Sequence, residues 1–332
     1  MKIAILGAGF MGGTHGRAFR QVEGVEIAAI YAHSDRRAAP LAEELGTVWT
    51  DDIDRILRDE SIDAIDNCLP TPEHRPLTEA ALAAGKHVLL EKPIALTDED
   101  AAALVAAGEA SDKVFMLAHV LRFWPEYVEL QRMATNGDLG ELRSGLAYRR
   151  QPFPAWSQLF SRSDLTGGAV IDMMIHDIDA LNWVFGTPRS VTANGIRNAR
   201  SGGWDQVQIL IDYGATSGMV DGGMMMPESY PFTSTLQVLG SDGFVQYDFQ
   251  AGGRSVEEAG GTNELRLYPN EGAPRKLDVD QKDPYLAEIE YFVECIRSGK
   301  PAERATPAEA RLALATALAA RESMETNRTV TI

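Results

Sequence analysis

Lys92 stands directly after a short apolar run, between Glu91 and Pro93. The run over residues 88–90 predicts a buried parallel strand, because such strands read as short apolar stretches. A charge at the carboxyl end of that strand lies where open α/β sheets bind their ligands. Pro93 has no N–H and ends the hydrogen-bond ladder there. A lysine in this position suits proton and alkoxide chemistry, since the pKa of lysine moves readily on burial.

A second set of reactive side chains falls on a helix predicted over residues 168–185. Asp172, His176 and Asp179 occupy positions i, i+4 and i+7, so two carboxylates and an imidazole share one helix face. Histidine suits proton transfer near neutral pH, and a carboxylate one turn away can orient it. A solvated polar face fits the same spacing. No cluster of cysteine and histidine completes a zinc set, so no metal is expected. The predicted core face of this helix consists of Ile171, Met174, Ile175, Ile178, Leu181 and Phe185.

Gly7, Gly9 and Gly12 form a Gly-x-Gly-x-x-Gly turn that also contains Phe10 and Met11. The turn follows a predicted strand and opens a predicted helix, which is the context in which this motif binds a dinucleotide. Gly7 permits the tight turn, Gly9 lets the backbone approach a pyrophosphate, and Gly12 allows close helix–strand packing. The N–H groups at the helix start would hold the phosphates. A loop without a ligand is the alternative.

The end of the second predicted strand bears on which dinucleotide binds. Ala32 stands where NAD-binding domains usually carry an acid that holds the ribose 2′-hydroxyl. Ser34, Arg36 and Arg37 follow, and arginine makes charge-assisted hydrogen bonds to phosphate. These residues favour NADP, with Ser34 and Arg37 as contacts, while Asp35 keeps NAD open. A solvated first helical turn explains the same residues without a ligand.

Four histidines and a pair of arginines complete the candidate set. His15 and His74 are candidates for contacts on the cofactor side, whereas His87 and His119 are expected to make structural hydrogen bonds. The arginine pair at residues 149–150 ends a predicted strand and could meet an anionic substrate. A solvated strand end fits these two arginines as well.

The arrangement of predicted elements indicates two domains. Short apolar strands alternate with helical segments over the first third of the chain, which predicts a doubly wound parallel sheet. After about residue 120, longer β-like stretches appear, punctuated by Gly, Asp and Asn as in antiparallel sheets. The fold class is therefore α/β, with a nucleotide-binding Rossmann domain over residues 1–120 followed by an α+β domain over residues 121–332.

Composition limits the partners. The 332 residues suffice for two domains with ample cores. A net charge of −17 argues against nucleic acid or an anionic membrane, because both attract basic surfaces. The two cysteines, Cys68 and Cys295, cannot form a disulfide framework, so a reducing compartment, the cytoplasm, is expected. Neither a signal peptide nor an apolar stretch of bilayer-spanning length is evident.

Taken together, these motifs resemble the Gfo/Idh/MocA oxidoreductases, the family of glucose–fructose oxidoreductase and inositol dehydrogenase. The resemblance covers essentially the whole chain. It implies a Rossmann domain followed by an α+β domain with a large, mostly antiparallel sheet, whose open face commonly mediates homodimers or homotetramers. The segments that carry it are residues 7–12 with His15, residues 70–74, residues 84–93, residues 122–123, residues 167–168, and Asp172 with His176.

The resemblance also implies a chemistry. Lys92, Asp172 and His176 are the expected catalytic set of an enzyme that moves a hydride between a pyridine nucleotide and a hydroxyl or carbonyl carbon of a sugar, polyol or related compound. His176 would exchange the substrate proton, Lys92 would stabilise charge on the same oxygen, and Asp172 would position His176 or the substrate. Besides the glycine turn, Ser34 and Arg37, the expected cofactor contacts are Leu69, Pro70, Thr71, His74, Glu91, Lys92 and Arg122.

Two other functions stay open for this pattern. One is a glycoside hydrolase that retains its NAD and re-reduces the sugar within each cycle. The other is a non-catalytic nucleotide sensor, which would be expected to lack one or more of Lys92, Asp172 and His176. The loops over residues 148–156 and 161–166 are expected to line the substrate site, but they do not identify the substrate.

Overall fold

The computed structural model describes residues 1–154, 158–254 and 258–332. Residues 155 and 156, at the end of the first expected lining loop, lie outside the described residues. The chain divides into two compact units. The first unit comprises residues 1–123 and 282–311, and the second unit comprises residues 124–281 and 312–332.

This division differs from the predicted domains in one segment. The predicted boundary after residue 120 lies close to the observed one, but residues 282–311 belong to the first unit rather than the second. The reason is apolar packing. Ile289, Phe292 and Val293 are almost fully buried in the same core cluster as Ile3 and Phe19.

The first unit contains a six-stranded parallel sheet, as expected. The order of its strands is β3-β2-β1-β4-β5-β6, and every neighbouring pair is parallel. Sequence order reverses between β1 and β4, which is the switch point at which such sheets bind ligands. The strands are β1 (Lys2–Leu6), β2 (Glu26–Tyr31), β3 (Val48–Thr50), β4 (Ala64–Asn67), β5 (His87–Glu91) and β6 (Phe115–Ala118).

Helices connect these strands, and their ends follow local sequence signals. Thr97 caps one helix by accepting a hydrogen bond from the Asp100 N–H at 3.2 Å, as the capping pattern predicts. Gly85 follows another helix with a φ of 74°, in the left-handed region that glycine tolerates. The helices are α1 (Phe10–Phe19), α2 (Asp35–Leu45), α3 (Ile53–Leu57), α4 (His74–Ala83) and α5 (Asp98–Glu109).

The second unit contains a large, mostly antiparallel sheet, again as expected. Its nine strands run in the order β14-β13-β12-β11-β7-β10-β9-β8-β15, and β7 with β10 forms a parallel pair. The strands are β7 (Leu142–Pro152), β8 (Ser190–Arg197), β9 (Trp204–Asp212), β10 (Ser217–Met226), β11 (Thr233–Gly240), β12 (Gly243–Gln250), β13 (Thr262–Pro269), β14 (Arg275–Leu277) and β15 (Val330–Thr331).

Helices of the second unit pack on one face of this sheet, and the other face carries exposed side chains. Alternation along β9 shows the two faces, because Ile209 and Ile211 are buried while Leu210 is exposed. The second unit contains α6 (Pro125–Thr135), α7 (Ser163–Thr166), α8 (Gly168–Asp172) and α9 (Ile175–Phe185). The helix α10 (Pro284–Ser298) belongs to the first unit, and α11 (Pro307–Thr326) begins in the first unit and continues in the second. Among the residues that the structure describes, no helix has both the length and the apolarity to cross a membrane.

The helix predicted over residues 168–185 is divided into α8 and α9. The N–H groups of Met173 and Met174 both donate to the carbonyl of Ala169, so the second of these bonds spans five residues instead of four. One extra residue in a turn rotates everything that follows relative to a regular helix. The expected single face of Asp172, His176 and Asp179 is therefore wrong. The prediction that Ile171, Met174, Ile175, Ile178 and Leu181 belong to the core is confirmed, because all five side chains are buried.

Candidate functional site

Most of the expected cofactor residues belong to one edge of the parallel sheet. Because all six strands point the same way, the segments that follow them meet at their common carboxyl edge. Gly7–Gly12 follows β1, the residues around Ser34 follow β2, and residues 69–71 follow β4. Glu91 and Lys92 lie at the end of β5. The topology alone therefore gathers motifs that are far apart in sequence.

The glycine turn fits a bound dinucleotide. Gly7 has a φ of 108°, and a Cβ atom there would lie 2.7 Å from the carbonyl oxygen of Cys68. A Cβ at Gly12 would lie 1.9 Å from the carbonyl oxygen of Gly7. A Cβ at Gly9, in contrast, would meet nothing within 4 Å. Space is therefore open in front of the first turn of α1, whose N–H groups can hold phosphate oxygens.

The end of β2 presents cations rather than a buried acid. Ala32 is buried, and its N–H donates to the carbonyl of Thr50. Ser34, Asp35, Arg36 and Arg37 are exposed at the start of α2. These positions suit a phosphate on the ribose, although the exposed Asp35 carboxylate stands among them.

His74 lies inside the first unit and is 1% exposed. Its Nδ1 is 2.8 Å from the carbonyl oxygen of Pro93, and its Nε2 is 2.9 Å from that of Leu69. Burial lowers the pKa of His74 to about 4, so the ring is neutral at pH 7 and donates to one of these carbonyls. The side chain braces the segment after β4 against the segment after β5, which is a different role from the expected cofactor contact.

Lys92 is half-buried at the end of β5, directly before Pro93, and the peptide bond between the two is cis. The backbone N–H of Lys92 donates to Oε2 of Glu91 at 3.0 Å. The Glu91 side chain is therefore turned back toward its own strand end, and the lysine side chain leaves from a fixed main chain.

His15 is fully buried, so the expected cofactor contact through its ring is wrong. Its Nδ1 lies 3.0 Å from Oδ1 of Asp66, and its Nε2 lies 3.3 Å from Oε1 of Glu91 and 3.9 Å from Oε2 of Glu288. Burial alone would lower the pKa of His15, but these carboxylates outweigh it and raise the pKa to about 10. His15 is therefore an imidazolium at neutral pH, surrounded by acids.

The donor atoms of His15, Asp66 and Cys68 lie within 4.8 Å of one another, which is close enough for a shared metal ion. The thiol of Cys68 instead donates to Oδ2 of Asp66 at 3.4 Å. Burial raises the pKa of Cys68 well above its ordinary value, and Asp66 and Glu91 raise it further. A metal ligand must be the thiolate. These groups are better described as a hydrogen-bonded cluster.

Arg122 is almost fully buried after β6. One of its guanidinium nitrogens donates to Oε1 of Glu309 at 2.6 Å, and its carbonyl accepts a hydrogen bond from Arg304. Glu309 also accepts from the N–H of Thr306, at the start of α11. Arg122 therefore ties the end of β6 to α11 within the first unit, which sequence reasoning did not anticipate.

In the second unit, α8 and α9 form a buried run with two accessible positions. From residue 168 to residue 182, Asp172 and His176 are half-buried and every other residue is buried. Asp179 is 1% exposed, which removes it from the expected polar row. Among the described residues of this run, the carboxylate and the imidazole are thus the ionisable side chains that solvent or a ligand can reach.

The arginines at 149 and 150 are both paired with acids of the second unit. Arg149 is 6% exposed and donates twice to Asp177, at 2.9 and 3.1 Å. Arg150 pairs with Asp221 at 3.0 Å and stacks on Tyr148. The pairing balances two charges inside the fold, since a lone buried carboxylate is costly.

Comparisons with known proteins agree with this architecture. Residues 1–119 match the model of an oxidoreductase family with an NAD-binding Rossmann fold, and residues 127–246 match the Gfo/Idh/MocA C-terminal domain. The chain belongs to the Gfo/Idh/MocA oxidoreductase family, and it is an enzyme of the oxidoreductase class.

Two relatives and one solved structure illustrate the similarity. Myo-inositol 2-dehydrogenase of Thermotoga maritima is 24% identical over 341 residues, covering 99% of this chain and 98% of the relative. A Bacillus subtilis scyllo-inositol 2-dehydrogenase (NADP(+)) is 24% identical over 319 residues, covering 90% of this chain and 87% of the relative. The aldose-aldose oxidoreductase of Caulobacter crescentus, solved with glycerol, superposes with a TM-score of 0.87 at 22% identity, covering 100% of this chain and 99% of that one.

The raised pKa of His15 predicts a loss of stability in alkali. An imidazole that keeps its proton to about pH 10 when folded, but only to about pH 6.5 when unfolded, stabilises the fold fully below pH 6.5. That contribution is lost as the pH rises toward 10, at about 1.4 kcal/mol per pH unit for one retained proton. Urea unfolding between pH 6 and pH 10 measures it. His33→Gln, which alters an exposed histidine, should keep the decline, and a flat profile in the unsubstituted protein would contradict the assignment.

Proposed function

We propose that this chain is an NAD(P)-dependent dehydrogenase or reductase that acts on a CH–OH group, or the corresponding carbonyl, of a sugar or polyol. The observation that carries the proposal is the open cradle at Gly9, at the switch point of a parallel sheet. Two inositol dehydrogenases among the relatives support the substrate class.

We assign Lys92, Asp172 and His176 as the catalytic set. The nicotinamide ring, when bound, accepts or supplies the hydride. In the oxidation direction, His176 takes the proton of the substrate hydroxyl. Lys92 donates a hydrogen bond to the same oxygen and stabilises the negative charge that develops there. Asp172 positions the substrate or His176, and in reduction His176 gives the proton back to the oxygen.

Removal of the Lys92 or the His176 side chain should test these roles. Lys92→Ala and His176→Ala should each lower kcat by roughly 10²–10⁴-fold, because both act on the reacting oxygen. Nucleotide affinity should change little in His176→Ala, because His176 is not among the proposed nucleotide contacts. A panel of sugars and polyols, followed at the absorbance band of reduced nicotinamide, finds the substrate and measures the loss.

Lys300→Ala is the matched control, since Lys300 is an exposed lysine of the same unit. Near-normal turnover in both catalytic variants would exclude the mechanism. Conversion of a glycoside without net change in nicotinamide absorbance would instead favour the hydrolase that retains its NAD.

For the cofactor, we propose NADP over NAD. Ala32 offers no carboxylate to a ribose 2′-hydroxyl, and Ser34 and Arg37 are exposed at the start of α2. Within the described part of the chain, neither Arg36 nor Arg37 forms an ion pair that would compete for a phosphate. Lys92, Glu91 and the segment over residues 69–71 are proposed to contact the remainder of the dinucleotide.

Loss of the Arg37 guanidinium should therefore weaken NADP selectively. Arg37→Ala is expected to raise the KM for NADP by about 10- to 100-fold, as for a lost charge-assisted hydrogen bond, and to leave the KM for NAD nearly unchanged. Arg58→Ala, an exposed arginine paired with Asp54, serves as control. A clear preference of the unsubstituted enzyme for NAD would refute the assignment.

We further propose that the enzyme is a homodimer or homotetramer formed through the nine-stranded sheet. The register places Leu210 beside Met219, and Met219 beside Leu146, on the face opposite the helices. Leu239 and Tyr268 continue the same face on other strands. These apolar side chains are exposed in one chain: Leu210 is 54% exposed and Met219 39%. A continuous apolar sheet face of this kind marks an interface, and a second copy offers a matching surface.

Charges placed on this face should separate the subunits. The double variant Leu210→Glu with Met219→Glu is expected to shift the mass measured by light scattering to that of a monomer, 36.2 kDa. Val48→Glu, at an exposed apolar position of the first unit, is the control. An unchanged oligomer in the double variant, or a monomer before substitution, would contradict the proposed interface.

The two cysteines, Cys68 and Cys295, are free thiols. We infer a reducing compartment such as the cytoplasm from this chemistry, because persistent thiols are typical there.

A further inference from the structure

A buried carboxylate lies against the start of the helix that carries Asp172. Asp205 of β9 has no exposed surface, and Ser201, in the turn before β9, is 6% exposed. Oδ1 of Asp205 accepts the N–H of Ala169 at 3.2 Å, and Oδ2 accepts the hydroxyl of Ser201 at 2.5 Å. Both donors are uncharged, so the carboxylate has no counter-ion among the described residues. Because such burial costs stability, the position of Asp205 indicates a role beyond filling space.

Three segments of the second unit converge on this carboxylate. A Cβ atom at Gly168 would lie 3.5 Å from Oδ1 of Asp205, and a Cβ at Gly203 would lie 3.4 Å from the same oxygen and 2.8 Å from Cβ of Ser163. The N–H of Ser163 donates to the carbonyl of Ser201 at 3.3 Å. The starts of α7 and α8 are therefore both packed against the turn that leads into β9.

Ala169 connects Asp205 to the junction between α8 and α9. Its N–H donates to Asp205, while its carbonyl accepts the N–H groups of residues 173–174 at 3.0 and 2.8 Å. These two bonds form the wide turn that divides the helices. Asp172 is the last residue of α8, and His176 lies in the first turn of α9. The main chain of one residue thus joins the buried carboxylate to the turn between the two accessible ionisable side chains.

We propose that Asp205 is a positioning residue for Asp172 and His176. Its carboxylate fixes the start of α8, and Ala169 passes this constraint to the turn between α8 and α9. That turn sets the direction in which the imidazole of His176 leaves its helix. The constraint on His176 stands on the hydrogen bonds alone, whereas its effect on turnover rests on the catalytic roles proposed above.

Two substitutions at Asp205 separate the hydrogen bonds from the charge. Asp205→Ala removes both acceptor oxygens. Asp205→Asn keeps an oxygen for the N–H of Ala169, and its amide can donate to the hydroxyl oxygen of Ser201. The matched control is Asp212→Ala, at the other end of β9. Asp212 is exposed, and its Oδ1 accepts the N–H of Gly214 at 2.7 Å, so this variant removes a bond of the same kind away from α8.

The His176 ring reports its position without any assay of activity. In nucleotide-free protein, its ¹³Cε1–¹H resonance is identified by its absence from the spectrum of His176→Ala. The resonance should move in Asp205→Ala and stay in place in Asp205→Asn and Asp212→Ala. In the enzyme assay, Asp205→Ala should lower kcat by about 10- to 100-fold, as for a misplaced catalytic group, with little change in the KM for the nucleotide. Asp205→Asn should restore most of kcat.

The outcomes separate this proposal from the catalytic assignment. A His176 resonance that stays in place in Asp205→Ala overturns the positioning role, as does one that moves equally in Asp205→Asn or in Asp212→Ala. If Asp205→Ala fails to fold, Ser201→Ala removes one bond to the carboxylate and should still move the resonance; no movement there overturns the proposal. If the resonance moves as expected while kcat keeps its value, the catalytic role of His176 is wrong, and its positioning by Asp205 stands.

Discussion

The close approach of two backbone segments at the glycine turn is the constraint on which the first unit depends. A Cβ at Gly12 would lie 1.9 Å from the carbonyl oxygen of Gly7, so α1 can start against β1 only without side chains there. The turn directs the first N–H groups of α1 to the carboxyl edge of the sheet. One turn further along, the same helix brings His15 to Asp66. The phosphate-binding turn and the buried imidazolium of His15 thus both depend on the same requirement, that no side chain separates the start of α1 from β1.

Much of this unit could be predicted because its determinants are local. Most of the short strands, the glycine turn and the cap at Thr97 can each be read within a few residues of sequence, and they form as expected. The parallel sheet then follows, since alternation of strands and helices has few solutions. Gly9, Lys92 and the residues around Ser34 all follow strands of this sheet. Their meeting at its carboxyl edge therefore follows from the predicted topology alone.

What could not be predicted depends on partners far away in sequence. The sequence does not show whether a charged residue is solvated or paired with a distant residue. Neither the ion pair of Arg149 with Asp177 nor the approach of Glu288 to His15 could therefore be predicted. The division between α8 and α9 depends on a carbonyl shared by two N–H groups, which apolar spacing does not encode. Residues 282–311 read as an ordinary terminal helix region, although their apolar face completes a core that begins at Ile3.

Because residues 282–311 complete the core of the first unit, they determine how the chain can be divided into fragments. The nucleotide-binding half is built from two stretches of chain separated by more than 150 residues, so no single cut yields it whole. A fragment ending at residue 123 would lack Phe292, so the apolar packing site that this side chain fills would be exposed on α1 and its neighbours. Exchange of this half with that of a relative, by recombination or by design, must therefore transfer both stretches together.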